Sequence, residues 1–337
     1  MPFALLTALL TALTLAATNA PAHAMAQVII ADGAVATQGG LSWGPDSVRF
    51  AFAGKRLTIY NTVGGKMRQA PVADPFYVNW LKDGRVAALF LEGDNTMLAL
   101  LNPDTGRLAR VVMPPGTVSV HDLPLEKGVL LLAQALKKTT LRGLETKHAL
   151  YSLSPDGQIK ERFATSHVYD SRNAELPALR GWIASRPNPV DGRMLLLEFR
   201  SPPERNQYIK LSMVDPATGQ KDEIYRASAE VLPLEGDFSP NGRRIALANS
   251  DGKLGIVSMD GSVKAVDDKL SGVSPAWSPA GSQIFFGGRV FDSDGSSKKE
   301  VLAKEPSARC FWRPDGTGMA VVSEGGTLLL LAGITNP

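Results

Sequence analysis

The stretch DFSPNGRRIALANSDGKLGIVSMDG, Asp237 to Gly261, decides the fold. Ser239-Pro240-Asn241-Gly242 has the composition of a tight turn: Pro suits its second place, Asn its third, and Gly the left-handed position that follows. Ile245-Ala246-Leu247-Ala248 is apolar at every position, the pattern of a strand buried on both faces. Asn249-Ser250-Asp251-Gly252 then turns the chain back, and Leu254-Gly255-Ile256-Val257 predicts the next strand. Met259-Asp260-Gly261 is a further hairpin turn before Val263-Lys264-Ala265-Val266. With a strand ending at Phe238 as the first, one four-stranded antiparallel sheet fits the whole stretch.

The same unit recurs along the chain. Trp43-Gly44-Pro45-Asp46-Ser47 precedes Val48 to Phe52, and Trp80-Leu81-Lys82-Asp83-Gly84 precedes Val86 to Leu89. A degenerate third copy, Leu125-Glu126-Lys127-Gly128 before Val129 to Leu132, lacks the aromatic residue. The fourth has Trp182 and an expanded turn, Arg186 to Gly192, before Met194 to Leu197. Phe238 opens the fifth, Trp277-Ser278-Pro279-Ala280-Gly281 the sixth, and Trp312-Arg313-Pro314-Asp315-Gly316 the seventh. Self-similarity at about 40 residues, with four short strands per unit, is the signature of a β-propeller. The seventh unit supplies only a third strand, Leu328 to Leu331. Val28-Ile29-Ile30, ahead of the first copy, has no partner of its own and can complete that last blade, closing the ring without a free edge. The expectation is an all-β, seven-bladed β-propeller. Six blades is the alternative, if the weak third copy merges with its neighbour.

The aromatic-Ser-Pro-Asp/Asn-Gly turn before a buried strand, at Phe238 to Gly242, Trp277 to Gly281 and Trp312 to Gly316, resembles the WD-like repeat of TolB-type propellers. The resemblance covers most of the chain and is sharpest in about four copies. It implies a periplasmic propeller, or a noncatalytic propeller domain, that binds a partner.

At 337 residues and 44% hydrophobic, the chain can bury a substantial core. Its 36 basic and 33 acidic residues leave a net charge of +3, too small a surplus to indicate nucleic acid. Phe3 to Ala17 is an apolar run, followed by Ala22-His23-Ala24, the small-x-small pattern of a signal-peptidase site. Residues 1–24 are read as a cleaved signal peptide and 25–337 as a single propeller domain. The run falls short of the ~20 residues a membrane span needs, so no span remains after cleavage. Cys310 is the only cysteine, leaving no partner for an internal disulfide. A periplasmic or secreted bacterial protein, monomeric or part of a complex, is expected.

Strand parity assigns the turns to faces. If the inner strand of each blade runs from face one to face two, the first-to-second and third-to-fourth turns lie on face two. These include Asn102 to Gly106, Ser154 to Gly157 and Asp215 to Gly219, whose residues are those a tight turn requires. Face one carries the longer connections, Ala135 to Lys147, Ala164 to Ala178 and Arg200 to Gln207, all in blades three and four. Long loops on a rigid scaffold are where binding residues tend to lie. Lys137, Lys138, Arg142, His167, Tyr169, Asp170, Arg172 and Arg205 are the candidate binding residues, for a protein or peptide of the cell envelope.

Catalytic and metal signals are weak, and no catalytic residue, cofactor or metal ligand is assigned. Gly40-Leu41-Ser42-Trp43-Gly44 matches the Gly-x-Ser-x-Gly pattern but sits in a strand and tight turn with no following helix to form the elbow. Asp292-Ser293-Asp294-Gly295 lacks the further carboxylates of a calcium loop. The alternative function is a propeller hydrolase or lyase with acid/base residues at the channel mouth, for which His121, Asp122, His167, Asp170 and Asp237 are the nearest participants.

Overall fold

The computed structural model describes residues 27–31, 35, 40–140, 143–169, 180–183, 186–200, 208–228, 231–266, 272, 274–296, 298–302 and 307–333. Strand β1 (Gln27–Ala31) comes first. Blade one is β2 (Leu41–Trp43), β3 (Arg49–Ala53), β4 (Arg56–Asn61) and β5 (Lys66–Ala73). Blade two is β6 (Tyr77–Trp80), β7 (Val86–Glu92), β8 (Asn95–Leu101) and β9 (Leu108–Val112). Blade three is β10 (Thr117–Asp122), β11 (Leu130–Thr140), β12 (Gly143–Leu153) and β13 (Ile159–Tyr169). Blade four is β14 (Arg180–Trp182), β15 (Met194–Arg200), β16 (Tyr208–Val214) and β17 (Lys221–Ser228). Blade five is β18 (Pro233–Phe238), β19 (Arg244–Asn249), β20 (Leu254–Ser258) and β21 (Val263–Val266). Blade six is β22 (Ala276–Trp277), β23 (Gln283–Phe286), β24 (Arg289–Asp292) and β25 (Lys298–Glu300). Blade seven is β26 (Arg309–Trp312), β27 (Gly318–Val322) and β28 (Leu328–Ala332), completed by β1.

The molecule is therefore a seven-bladed β-propeller. The weak third copy is a blade in its own right, which removes the six-blade alternative. Closure is as the terminal strands predict: β1 pairs antiparallel with β28, Gln27 opposite Leu331 and Ile29 opposite Leu329.

The strands are apolar throughout because each blade is buried on both faces. In β19, Ile245 and Leu247 pack toward blade four, while Ala246 and Ala248 pack toward blade six. In β3, Phe50 and Phe52 face blade seven, and Ala51 and Ala53 face blade two. The core is thus divided into seven apolar clusters, one at each junction of neighbouring blades.

The turns have the chemistry the sequence predicts. Gly242 takes φ +67°, its N–H bonds Ser239 O at 2.8 Å, and Asn241 Oδ1 accepts the Arg243 N–H at 3.1 Å. The third-to-fourth turns of blades two, three and four all lie between the strands expected. Those of face two also join blades. Arg49 pairs with Asp104 at 2.5 Å, Arg244 donates to Ser293 O at 2.8 Å, and the Asp315 N–H donates to Ser47 Oγ at 3.1 Å across the closing junction. Among the described residues no helix is long and apolar enough to cross a membrane.

Candidate binding site

Blade three departs from the other six. Second and third strands elsewhere run four to seven residues, whereas β11 and β12 run eleven each, as does the outer strand β13. Ala135 to Lys147, expected as a face-one loop, is therefore mostly a β-hairpin. Leu136 to Thr140 contain neither Gly nor Pro to break the ladder, and Gly143 falls only where the hairpin returns, opposite Thr140, which is why the chain continues as strand. The inner strand β10 ends its pairing at Thr117 opposite Gln134, and its last link to β11 is the Ala135 N–H to Gly116 O bond at 2.9 Å. Leu136 to Thr140 pair with β12 alone. At about 3.4 Å per residue this carries the sheet roughly 17 Å past its inner strand on face one.

The residues assigned to binding from the sequence divide accordingly. Lys137 and Lys138 are exposed on β11. Lys137 lies opposite Thr146, and Thr146 opposite His167, so the three form one cross-strand row, with Tyr169 two residues further along β13. Arg142, Asp170, Arg172 and Arg205 lie outside the described residues. So do most of the connections expected at Ala164 to Ala178 and Arg200 to Gln207. Of the residues named for acid/base work, Asp170 likewise lies outside the described residues, and His167 is placed on β13.

A concavity lies on face two, where the sequence predicts only structural turns. The channel opens there into a cavity of about 380 Å³. In each blade the turn after the inner strand begins with a fixed bond, such as Gly44 N–H to Arg49 O in blade one and Asn188 N–H to Arg193 O in blade four. The residue two places earlier faces the channel. These positions are Ser42, Asn79, Arg186, Asp237, Ala276 and Phe311 in blades one, two, four, five, six and seven, and all six line the cavity. His121 holds the matching place in blade three but is buried beside the Tyr77 ring. The wall is thus polar on one arc and apolar on the other.

The aromatic residues after these positions lock neighbouring blades. Trp43 Nε1 donates to Phe311 O at 2.8 Å, and Trp312 Nε1 to Ala276 O at 3.1 Å. At two other seams a channel side chain does the joining: Ser42 Oγ accepts the Trp80 N–H at 2.9 Å, and Asp237 Oδ2 the Trp277 N–H at 2.8 Å. Arg49, Arg244 and Arg313 cover the faces of Trp80, Trp277 and Trp43, their guanidinium carbons 4.9–5.6 Å from the ring centroids. Ser42 is therefore a seam residue bonded to Asn79 and Trp80, not an exposed nucleophile.

Electrostatics distinguish two residues in this wall. Burial raises the Asp237 carboxyl above its ordinary range, against the opposing pull of Arg186 and the Trp277 and Phe238 N–H groups. Arg186 is exposed at the mouth. Among the described residues neither forms an ion pair, although Asp237 feels the Arg186 charge. Two residues upstream on the same strands as Asp237 and Phe311, Glu235 and Arg309 form a two-pronged ion pair bridging blades five and seven, with Arg309 Nη1 to Glu235 Oε2 at 2.9 Å. Burial also raises the Cys310 thiol well above its usual range.

Three of the acid/base groups of the alternative reading have separate structural partners. His121 is buried against Tyr77, Asp122 Oδ2 accepts the Lys82 N–H at 2.9 Å, and Asp237 holds the Trp277 seam. Of the cavity's residues, Asp237 is among those singled out from the sequence. Arg186 is not, and its signal is an arginine two residues before the turn start, where other copies carry small, polar or apolar residues.

Fold and cavity together define a seven-bladed propeller with a small-molecule-sized recess at one mouth of its channel. No protein-family model matches the chain, and no curated protein matches it.

Proposed function

We propose that this protein is a noncatalytic binding module of the cell envelope. In this reading it is a TolB-type, WD-like propeller, exported to the periplasm or beyond by residues 1–24, that presents blade three on face one to a protein or peptide. The observation that carries the reading is the extension of β11, β12 and β13 past the inner strand. Among the described residues, Leu136 to Thr140 of β11 pair with β12 alone and have no strand on the side that β10 leaves, and such edges accept an added strand from a partner. Lys137 and Lys138 stand on that edge strand, exposed. Lysine on an edge discourages pairing between identical copies and favours an acidic partner segment.

The test is the double substitution K137E/K138E in the full chain, followed by crosslinking capture from envelope extract. Both side chains are exposed, so folding should be unaffected. The reading predicts that the partner retained by the wild type is lost, with an unchanged circular dichroism spectrum and thermal midpoint. Equal capture by the folded variant contradicts it.

A further inference from the structure

On the opposite face from blade three's extension, we infer that the face-two channel mouth is a binding site for a small zwitterion with an apolar side chain, such as a free apolar α-amino acid. The inference rests on the arrangement of charge and apolar surface in one recess. Arg186 and Asp237 line the same cavity from adjacent blades, carry opposite charge, and among the described residues neither has an ion-pair partner. They are close enough for the arginine's charge to act on the carboxyl, yet they do not pair with one another.

Asp237, drawn out of water on the wall, is incompletely compensated, and Arg186 faces the same space from the exposed mouth. A molecule with both an ammonium and a carboxylate can satisfy both, accepting the Arg186 guanidinium N–H groups with its carboxylate and donating to Asp237 with its ammonium. A ligand of single charge satisfies one and leaves the other. The opposite arc, Ala276 and Phe311 with the Trp312 ring beside them, supplies apolar surface for a hydrocarbon side chain. The volume of about 380 Å³ is at the low end of the roughly 300–1,000 Å³ typical of small-molecule sites, which suits a free amino acid rather than a folded partner.

The site is also held in place. Asp237 is fixed by the Trp277 N–H bond, and the Glu235–Arg309 bridge ties blades five and seven one step deeper. Arg186 follows from the expanded turn of blade four, whose Asn188 is buried and donates to Gly242 O at 3.1 Å.

Isothermal titration calorimetry of the full chain tests the inference, using L-leucine and L-phenylalanine as ligands. 4-Methylpentanoate and 3-methylbutylamine, which each carry one of leucine's two charges, serve as the comparison. Saturable binding of at least one amino acid is expected. Loss of either ligand charge, or the substitution R186Q or D237N, should weaken it by roughly tenfold to a hundredfold. Arg186 is exposed, and the amide oxygen introduced by D237N can still accept the Trp277 N–H, so both variants should fold. The single-charge ligands make the same comparison without any substitution. No saturable binding of either amino acid at millimolar concentration overturns the inference. So does binding that is unchanged in both variants, or equal affinity for a single-charge analogue.

Discussion

Asp237 shows how one side chain serves structure and charge together. Its carboxylate closes the seam between blades five and six through the Trp277 N–H, while burial raises its titration above the ordinary 3.8. Among the described residues, Arg186 and Cys310 are ionisable neighbours that interact with it, and Glu235 lies two residues away on the same strand. A carboxyl whose folded value exceeds its unfolded one stabilises the fold while protonated. That contribution is full below 3.8 and is lost as pH rises through the raised value. Asparagine has no charge to bury, so the stability of the wild type relative to D237N should fall as pH rises from about 3 to about 7, as read by urea denaturation at each pH. A difference that grows with pH contradicts this. Gly242 is a second residue whose role is local. Its φ of +67° is left-handed, and an added Cβ would meet the buried Asn188 side chain. G242A should cost about 1–2 kcal/mol or more in the same assay, and a neutral result would show that the turn is free to relax.

At the scale of elements, strand β1 has the clearest duty. It covers β28, whose Leu328, Leu329 and Leu331 are buried. Deleting Gln27–Ala31 should lower the thermal midpoint by several degrees and produce concentration-dependent association through the uncovered edge, measurable by light scattering; an unchanged midpoint and unchanged scattering would refute the closure argument. Much of this was legible in the sequence. The unpartnered Val28-Ile29-Ile30 and the missing fourth strand after Leu331 imply each other, and the apolar run Ile245 to Ala248 announces burial on two sides. Ala135 to Lys147 was not legible as strand. Its exposed Lys137 and Lys138 remove the apolar alternation that marks a half-buried strand, and its pairing is supplied by β12 rather than by a core. The cavity was hidden for another reason. Its walls come from single residues in six blades, Ser42 to Phe311, and the repeat that reveals a blade directs attention away from the positions at which blades differ.

For the whole molecule, stability is distributed over seven junctions rather than one core, and each blade depends on both neighbours. That arrangement gives two faces of different character on a closed frame. Face two is built from tight turns that cross-link blades around a recess, and face one carries the extension of blade three. The proposed role makes that extension the surface a macromolecular partner meets. A photo-crosslinking residue placed at position 137, on face one, or at position 105, in a face-two turn of blade two, tests it directly in the native envelope. The account predicts a discrete adduct from position 137 and none from position 105. An adduct from position 105 with none from 137 would contradict it.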